Sequence, residues 1–176
     1  VSTITGQASK FLEQNVSSMT PFTILLSGLM AVSAPEPTPV KAGPTPINKI
    51  LVLQLVNEAR RKGCQCGDTW YPATTSLTWN AQLERAALVH SNDMYANNYF
   101  SHAAKDGSKA GNRLDDAGYR WRTYGENIAF GYRSEREVIK GWLLSPGHCK
   151  NLMSPAFKEM GLSRVGDYWT QVFGTK

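Results

Sequence analysis

Cysteine is scarce in this chain of 176 residues: Cys64, Cys66 and Cys149 allow one disulfide and leave one sulfur over. A fold held mainly by disulfides is thereby excluded, and a hydrophobic core has to carry the stability. The spacing Cys64-Gln65-Cys66 is too tight for the usual two-residue metal knuckle, and no second pair lies near it. A bridge from Cys64 or Cys66 to Cys149 is expected, and it implies an oxidising compartment; three unpaired thiols are the alternative reading. Such a bridge would close a loop of about 80 residues, for which chain entropy gives roughly 4 kcal/mol before strain. Long hydrophobic runs are also missing. The most apolar uncharged stretch, residues 22–34, is too short to cross a bilayer comfortably, so no transmembrane span is expected. There is no internal repeat and no obvious activated nucleophile.

Charge of one sign is only mildly in excess, with 19 Lys and Arg against 14 Asp and Glu, a net +5. The first 46 residues contribute none of it, because Lys10 and Lys41 balance Glu13 and Glu36. Elsewhere basic residues are interspersed with acids, the longest cluster being Arg60, Arg61 and Lys62. Without a helix, finger or aromatic sheet motif, no specific nucleic-acid binding is expected, although a basic surface can attract anionic lipid or acidic polymer.

Composition divides the chain. Residues 1–46 hold six of the nine prolines and neither Trp nor Tyr. Within them, residues 22–34 read as the apolar part of a leader or anchor ending in the small residues Ser33 and Ala34, or alternatively as an amphipathic helix packed on the domain. Residues 35–46 read as a Pro-rich, semi-rigid linker. From Ile47 the pattern is globular, and residues 47–176 are expected to form one domain.

In that domain Ile47, Ile50, Leu51, Val52, Leu55, Val56 and Ala59 give a helical stripe stopped by Gly63. Asn80 caps a second helix in which Leu83, Ala87, His90 and Met94 face inward, so His90 reads as a hydrogen-bonded core histidine. A short third helix is predicted over residues 112–117, and a fourth from Ser134 with Glu137 completing a capping box. Strands are predicted at 128–130, 160–165 and 168–173, the last two joined at Gly166-Asp167. Helices and strands without regular alternation indicate an α+β fold, or a layered α-β-α one, rather than a doubly wound parallel sheet.

The residues that can carry chemistry are His102, just past the second helix, His148, just past the fourth, and Glu126 beside Gly125. A loop histidine beside small residues can turn its ring into a cleft and take a proton or a metal near neutral pH. Ser101 and Ser145 lie next to the histidine motifs and read as cap or turn residues.

Together these motifs resemble one family. Phe100-Ser101-His102, then Tyr124-Gly125-Glu126-Asn127-Ile128-Ala129, then Trp142 followed by Ser145-Pro146-Gly147-His148-Cys149-Lys150-Asn151-Leu152-Met153 stand in the order found in CAP domains. These are the cysteine-rich secretory, antigen 5 and pathogenesis-related superfamily, here of the bacterial secreted, SCP-like type. The ending, Met160-Gly161-Leu162 and Tyr168 to Gly174, is similar too, so the resemblance covers about residues 53–174. It implies a three-layer α-β-α sandwich with a central antiparallel sheet, and a cleft holding two histidines and two acids. His102, Glu126 and His148 match three of the four; where the fourth acid is expected, this chain has Ser145. Glu135 and Glu137 could substitute, but both lie early in their helix.

The resemblance further implies a secreted or envelope-associated monomer with Asn127 and Ser145 beside the cleft. A lipid or another cell-envelope component is the expected partner. His102 and His148 would be the ligands of at most a weakly bound divalent metal such as zinc. The bridge is expected to be Cys66 to Cys149, with Cys64 the other choice, since the loop before the second helix and the turn after His148 both approach the cleft. A non-enzymatic binding module is the leading expectation, because the CAP fold alone licenses no reaction. A metal-assisted or His/Glu hydrolase is the alternative.

Overall fold

The structure, a computed structural model, describes residues 43–176. The apolar stretch 22–34 and most of the linker lie outside the described residues. Of the linker, Thr45 is tied to the domain, its N–H donating to the Arg164 carbonyl at 2.9 Å.

Helix α1 (Lys49–Lys62) starts where Asn48 Oδ1 accepts from the Leu51 N–H, and it buries Val52, Val56 and Arg60, one residue per turn. Strands β1 (Cys64–Cys66) and β2 (Thr69–Tyr71) form a small antiparallel ribbon where a loop was expected. Strand β3 (Thr78–Trp79) leads to α2 (Ala81–Ala96), whose Asn80 side chain caps two N–H groups. Helix α3 (Ala110–Asp116) precedes β4 (Thr123–Phe130), then α4 (Glu135–Leu144), α5 (Pro146–Met153), β5 (Glu159–Val165) and β6 (Tyr168–Thr175).

The main sheet has the order β3-β5-β6-β4. Its long pairs, β5 with β6 and β6 with β4, are antiparallel, whereas the two-residue β3 joins β5 in parallel. Period-two alternation sorts the side chains into two layers. Met160, Leu162, Trp169 and Phe173 face α1, α4 and α5, packing on Val52, Val56, Val138, Trp142 and Leu152. Val172 faces α2 and α3, against Leu83, Ala86, Ala87 and Leu114. The α-β-α sandwich is therefore built. On the α2 side, Gly161 lets the helix come down onto β5: an added Cβ would fall on the backbone of Leu83 and Glu84.

Strand β4 is an edge, and its outward carbonyls are met by side chains. The Trp142 indole N–H donates to the Ile128 carbonyl at 3.2 Å, and the Asn151 amide donates to the Glu126 carbonyl at 3.1 Å. This edge, with one helical layer on each side, is where the candidate site lies.

Two expectations are corrected, and one basic residue lies where its sequence context does not show it. His148 is not in a loop past a helix; it sits in the first turn of α5, which the sequence reading missed because Pro146-Gly147 looks like a turn. Pro is suited to the first helical position, and the extended Ser145 before it lets α4 stop and α5 start with one residue between. Strand β4 begins five residues earlier than predicted, since Tyr124, Gly125 and Glu126 carry no apolar alternation yet pair with Gly174, Phe173 and Val172. Arg60 does not belong to an exposed basic cluster. It is fully buried, donates to the carbonyls of Thr75, Leu152 and Ser154, and is pulled down to a pKa of about 10 by burial.

Candidate functional site

The site is assembled from both faces of the β4 edge. Glu126 shares its face of β4 with Ile128 and stands opposite Val172, on the α2 and α3 side. There its carboxylate is 5% exposed and has two partners: Oε1 accepts from His102 Nδ1 at 2.9 Å, and Oε2 accepts from Arg113 Nη2 at 2.7 Å. Burial pushes the Glu126 pKa up, but the His102 bond, the Arg113 guanidinium and the nearby His90 outweigh it and hold the carboxyl below its ordinary value. The anion is thus the resting form, and His102 must present Nδ1–H to it, leaving Nε2 free to accept a proton or a metal. The His102 side chain is 58% exposed, so the acid is hidden while the ring it holds is open to ligand.

Arg113 was not singled out from the sequence. On α3, 5% exposed, it joins Glu126 to the loop after α2, because the same Nη2 also donates to the His102 carbonyl at 3.2 Å. Its Nε and Nη1 have no hydrogen-bond partner. No local pattern distinguishes it from a solvated helical arginine, so only the fold reveals it.

His90 is the core histidine expected. Its Nε2 lies 2.9 Å from the Ser101 carbonyl, which can only accept, so Nε2 carries the proton. The same nitrogen is 3.9 Å from Glu126 Oε1. Burial, more than the opposing pull of Glu126, lowers its pKa.

The other helical layer supplies His148. Its Nδ1 lies 2.9 Å from Ser145 Oγ, so a neutral hydroxyl orients this ring where the resemblance leads one to expect a carboxylate. Burial first, then the His102 charge, lowers the His148 pKa. Asn127, on the opposite face of β4 from Glu126, is fully buried. Its amide donates to the His148 carbonyl at 3.3 Å and to Gln171 Oε1 at 3.2 Å, and its Oδ1 accepts from Asn151 at 2.9 Å. It ties α5 to the sheet from behind. Glu137 accepts from the Arg133 N–H and its own N–H is capped by Ser134, while Glu135 accepts from the Asn48 N–H; both are thus committed at helix starts.

His102 and His148 line one cavity of about 640 Å³, whose other walls include Phe100, Ile128, Tyr132 and Trp142. Tyr132 reaches this wall by lying over Gly141 of α4, where a Cβ would strike its ring. The donor chemistry suits a cation only in part. Glu126 is committed to Arg113 and His102, and it does not form with the two rings a cluster compact enough to share an ion. Among the described residues only Cys64, Cys66 and Cys149 form such a cluster. Cys66 is bonded to Cys149, with Cys64 the free cysteine.

The chain is 33% identical over 124 residues to the uncharacterized protein YkwD of Bacillus subtilis (strain 168), a match spanning 69% of this chain and 45% of that one. It is 36% identical over 97 residues to the uncharacterized membrane protein YlbC of the same organism, covering 55% of this chain and 28% of that one. The chain thus spans less than half the length of these relatives. Among solved structures, an extracellular SCP-domain protein of Bacillus anthracis matches with a TM-score of 0.64 and 32% identity over 73% of this chain and 40% of the other. An outer surface protein of Borrelia burgdorferi shares the fold, with a TM-score of 0.65 at 20% identity over 77% of this chain and 98% of its own. Among the described residues no helix is long and apolar enough to cross a membrane. The family profile described as CAP, the cysteine-rich secretory protein family, matches residues 53–173, and the chain belongs to that family.

Proposed function

We propose that this domain is a secreted or envelope-associated bacterial binding module that takes a small, mainly apolar ligand, such as a lipid, with the ligand's polar end at His102 and His148. The cavity supports this reading most directly: an apolar hollow of about 640 Å³ is walled by Phe100, Ile128, Tyr132 and Trp142, with two imidazoles at one wall. That mixture, mostly apolar with a few convergent polar groups, is the usual make-up of a small-ligand pocket. A weakly held divalent ion is a further part of the proposal. His102 backed by Glu126 and His148 backed by Ser145 would present two Nε2 lone pairs, and the lack of a second carboxylate keeps the site weak.

Three measurements test this. Organic-solvent extraction of the purified protein followed by mass spectrometry should release a bound amphiphile, and a fluorescent long-chain fatty acid should bind the wild type and not Ala129→Trp, which fills the cavity from Ala129, another of its wall residues. Equal binding by both proteins sinks the apolar-ligand reading. Calorimetric titration with zinc should give weak binding, lost in His102→Ala and in His148→Ala, and weakened by acid, because a protonated imidazole cannot ligate. Tight binding untouched by either change would move the ion elsewhere.

Hydrolysis is the second reading, favoured by one observation: His102 is held by a buried carboxylate as a general base would be. Ser101 Oγ accepts from the Ala103 N–H and Ser145 Oγ bonds His148, so neither hydroxyl is bonded to His102. Water would therefore be the nucleophile. Ester turnover abolished by His102→Ala would favour this reading over simple capture.

A further inference from the structure

Outside the cleft, the three cysteines form a second site. Cys64 and Cys66 are two residues apart on β1, so their side chains leave the same face of the ribbon, and that face meets α5, which carries Cys149. Cys66 is bonded to Cys149. The free Cys64 Sγ stands only 3.7 Å from Cys149 Sγ, and all three sulfurs lie within 4.8 Å of one another. Ala59, Tyr71, Leu143 and Met153 surround them, none of which can take the role of a thiol partner. A third sulfur in contact with a disulfide is not required to hold β1 against α5, since one bridge does that.

We propose that this cluster is a thiol–disulfide exchange site in which the bridge moves between Cys66–Cys149 and Cys64–Cys149. Cys64 loses its proton to solvent, and the thiolate attacks Cys149 Sγ. The Cys64–Cys149 bond forms as the Cys66–Cys149 bond breaks, and Cys66 leaves with the electron pair and takes a proton from solvent. The number of disulfides is unchanged, so no external oxidant or reductant is consumed. Chain entropy barely distinguishes the two states, because the closed loops differ by two residues: the separations are 83 for Cys66 to Cys149 and 85 for Cys64 to Cys149. Packing sets the balance, with Cys66 the more buried of the two and Cys64 the half-exposed one that solvent and other thiols can reach. Burial raises the Cys64 thiol above its usual value, so exchange is slow at neutral pH and quickens in alkali. Because Cys149 directly follows His148 on α5, the pairing decides which residue of β1 anchors the helix that carries that histidine.

The decisive measurement uses the wild-type full chain. It is held in a glutathione redox buffer at about pH 8.5, near the ordinary thiol pKa, quenched in acid and labelled there with a maleimide. Peptic digestion and tandem mass spectrometry then locate the labelled cysteine. Both Cys64-labelled and Cys66-labelled chains are expected, with the approach to the mixture accelerating about tenfold per pH unit below the thiol pKa. Label on Cys64 alone at every time and pH overturns the proposal. Cys64→Ser must abolish the second species; label still arising on Cys66 in that variant, with Cys149 unpaired, also overturns it by showing reduction rather than exchange.

Discussion

At the scale of single residues, the buried Glu126 carboxylate is tolerable only because Arg113 and His102 meet its two oxygens. Breaking a buried pair on one side leaves an uncompensated charge, and that typically costs about 3 to 5 kcal/mol. Arg113→Met should therefore lose stability toward the low end of that range, since two of the guanidinium nitrogens already lack partners and their burial penalty is returned. Adding Glu126→Gln to Arg113→Met should recover more than about 1 kcal/mol, because the second change removes the stranded charge. Urea unfolding of the two single variants and the double variant measures this coupling. Simple additivity would mean that the carboxylate is neutralised or solvated without Arg113, and the ion pair would lose its place in holding the His102 loop.

At the scale of elements, helix α2 sits against β5 because Gly161 has no side chain, and the contact is backbone to backbone. Gly161→Ala cannot be accommodated by rotating a side chain, so the helix must lift; overpacking of this kind costs about 1 to 3 kcal/mol and sometimes more. Gly141→Ala on α4 meets only the Tyr132 ring, which can swing away. It should cost less, and it should change fatty-acid binding instead, because Tyr132 is a wall of the cavity. Thermal unfolding and the fluorescent fatty-acid titration of both variants separate the two effects; a larger drop in melting temperature for Gly141→Ala than for Gly161→Ala would contradict this account of the packing. What the sequence made legible follows the same division. Helices α1 and α2, the β5-β6 hairpin and the inward His90 show through their periodicity and caps. Helix α5 does not, because its first turn is written in Pro and Gly, and β4 shows only its apolar end. The motifs brought His102, Glu126 and His148 into view, but Arg113 depends on α3 packing beside β4. Nothing local in the sequence marks Arg60 as buried, because its partners are carbonyls 15 to 97 residues away in sequence.

For the whole molecule, the buried His90 and the half-buried His148 tie stability to pH. His90 and His148 both have lowered pKa values, chiefly because burial disfavours the charged form. In the unfolded chain each would titrate near about 6.5. Protons are then bound more readily by the unfolded state, and stability rises with pH wherever that holds. The contribution is fully present above about pH 6.5 and is lost as pH falls through the lower folded values. Glu126 adds a second loss of the same sign at lower pH, because its depressed folded pKa makes its contribution complete above about 4.3 and lost on further acidification. Other charges acting on His90 are Glu126, Arg113 and Asp93; the acids favour its protonation and Arg113 opposes it, but burial remains the larger influence. Urea unfolding between about pH 7.5 and pH 5 should thus show declining stability in the wild type. His90→Gln, whose amide can still donate to the Ser101 carbonyl, should show a shallower decline. Growing net positive charge destabilises both proteins alike, so the difference between their slopes isolates the histidine. Equal slopes would mean that His90 takes up its proton in place, with Glu126 close enough to stabilise the imidazolium, and the buried cluster beneath the cleft would then be charged rather than neutral at mildly acidic pH.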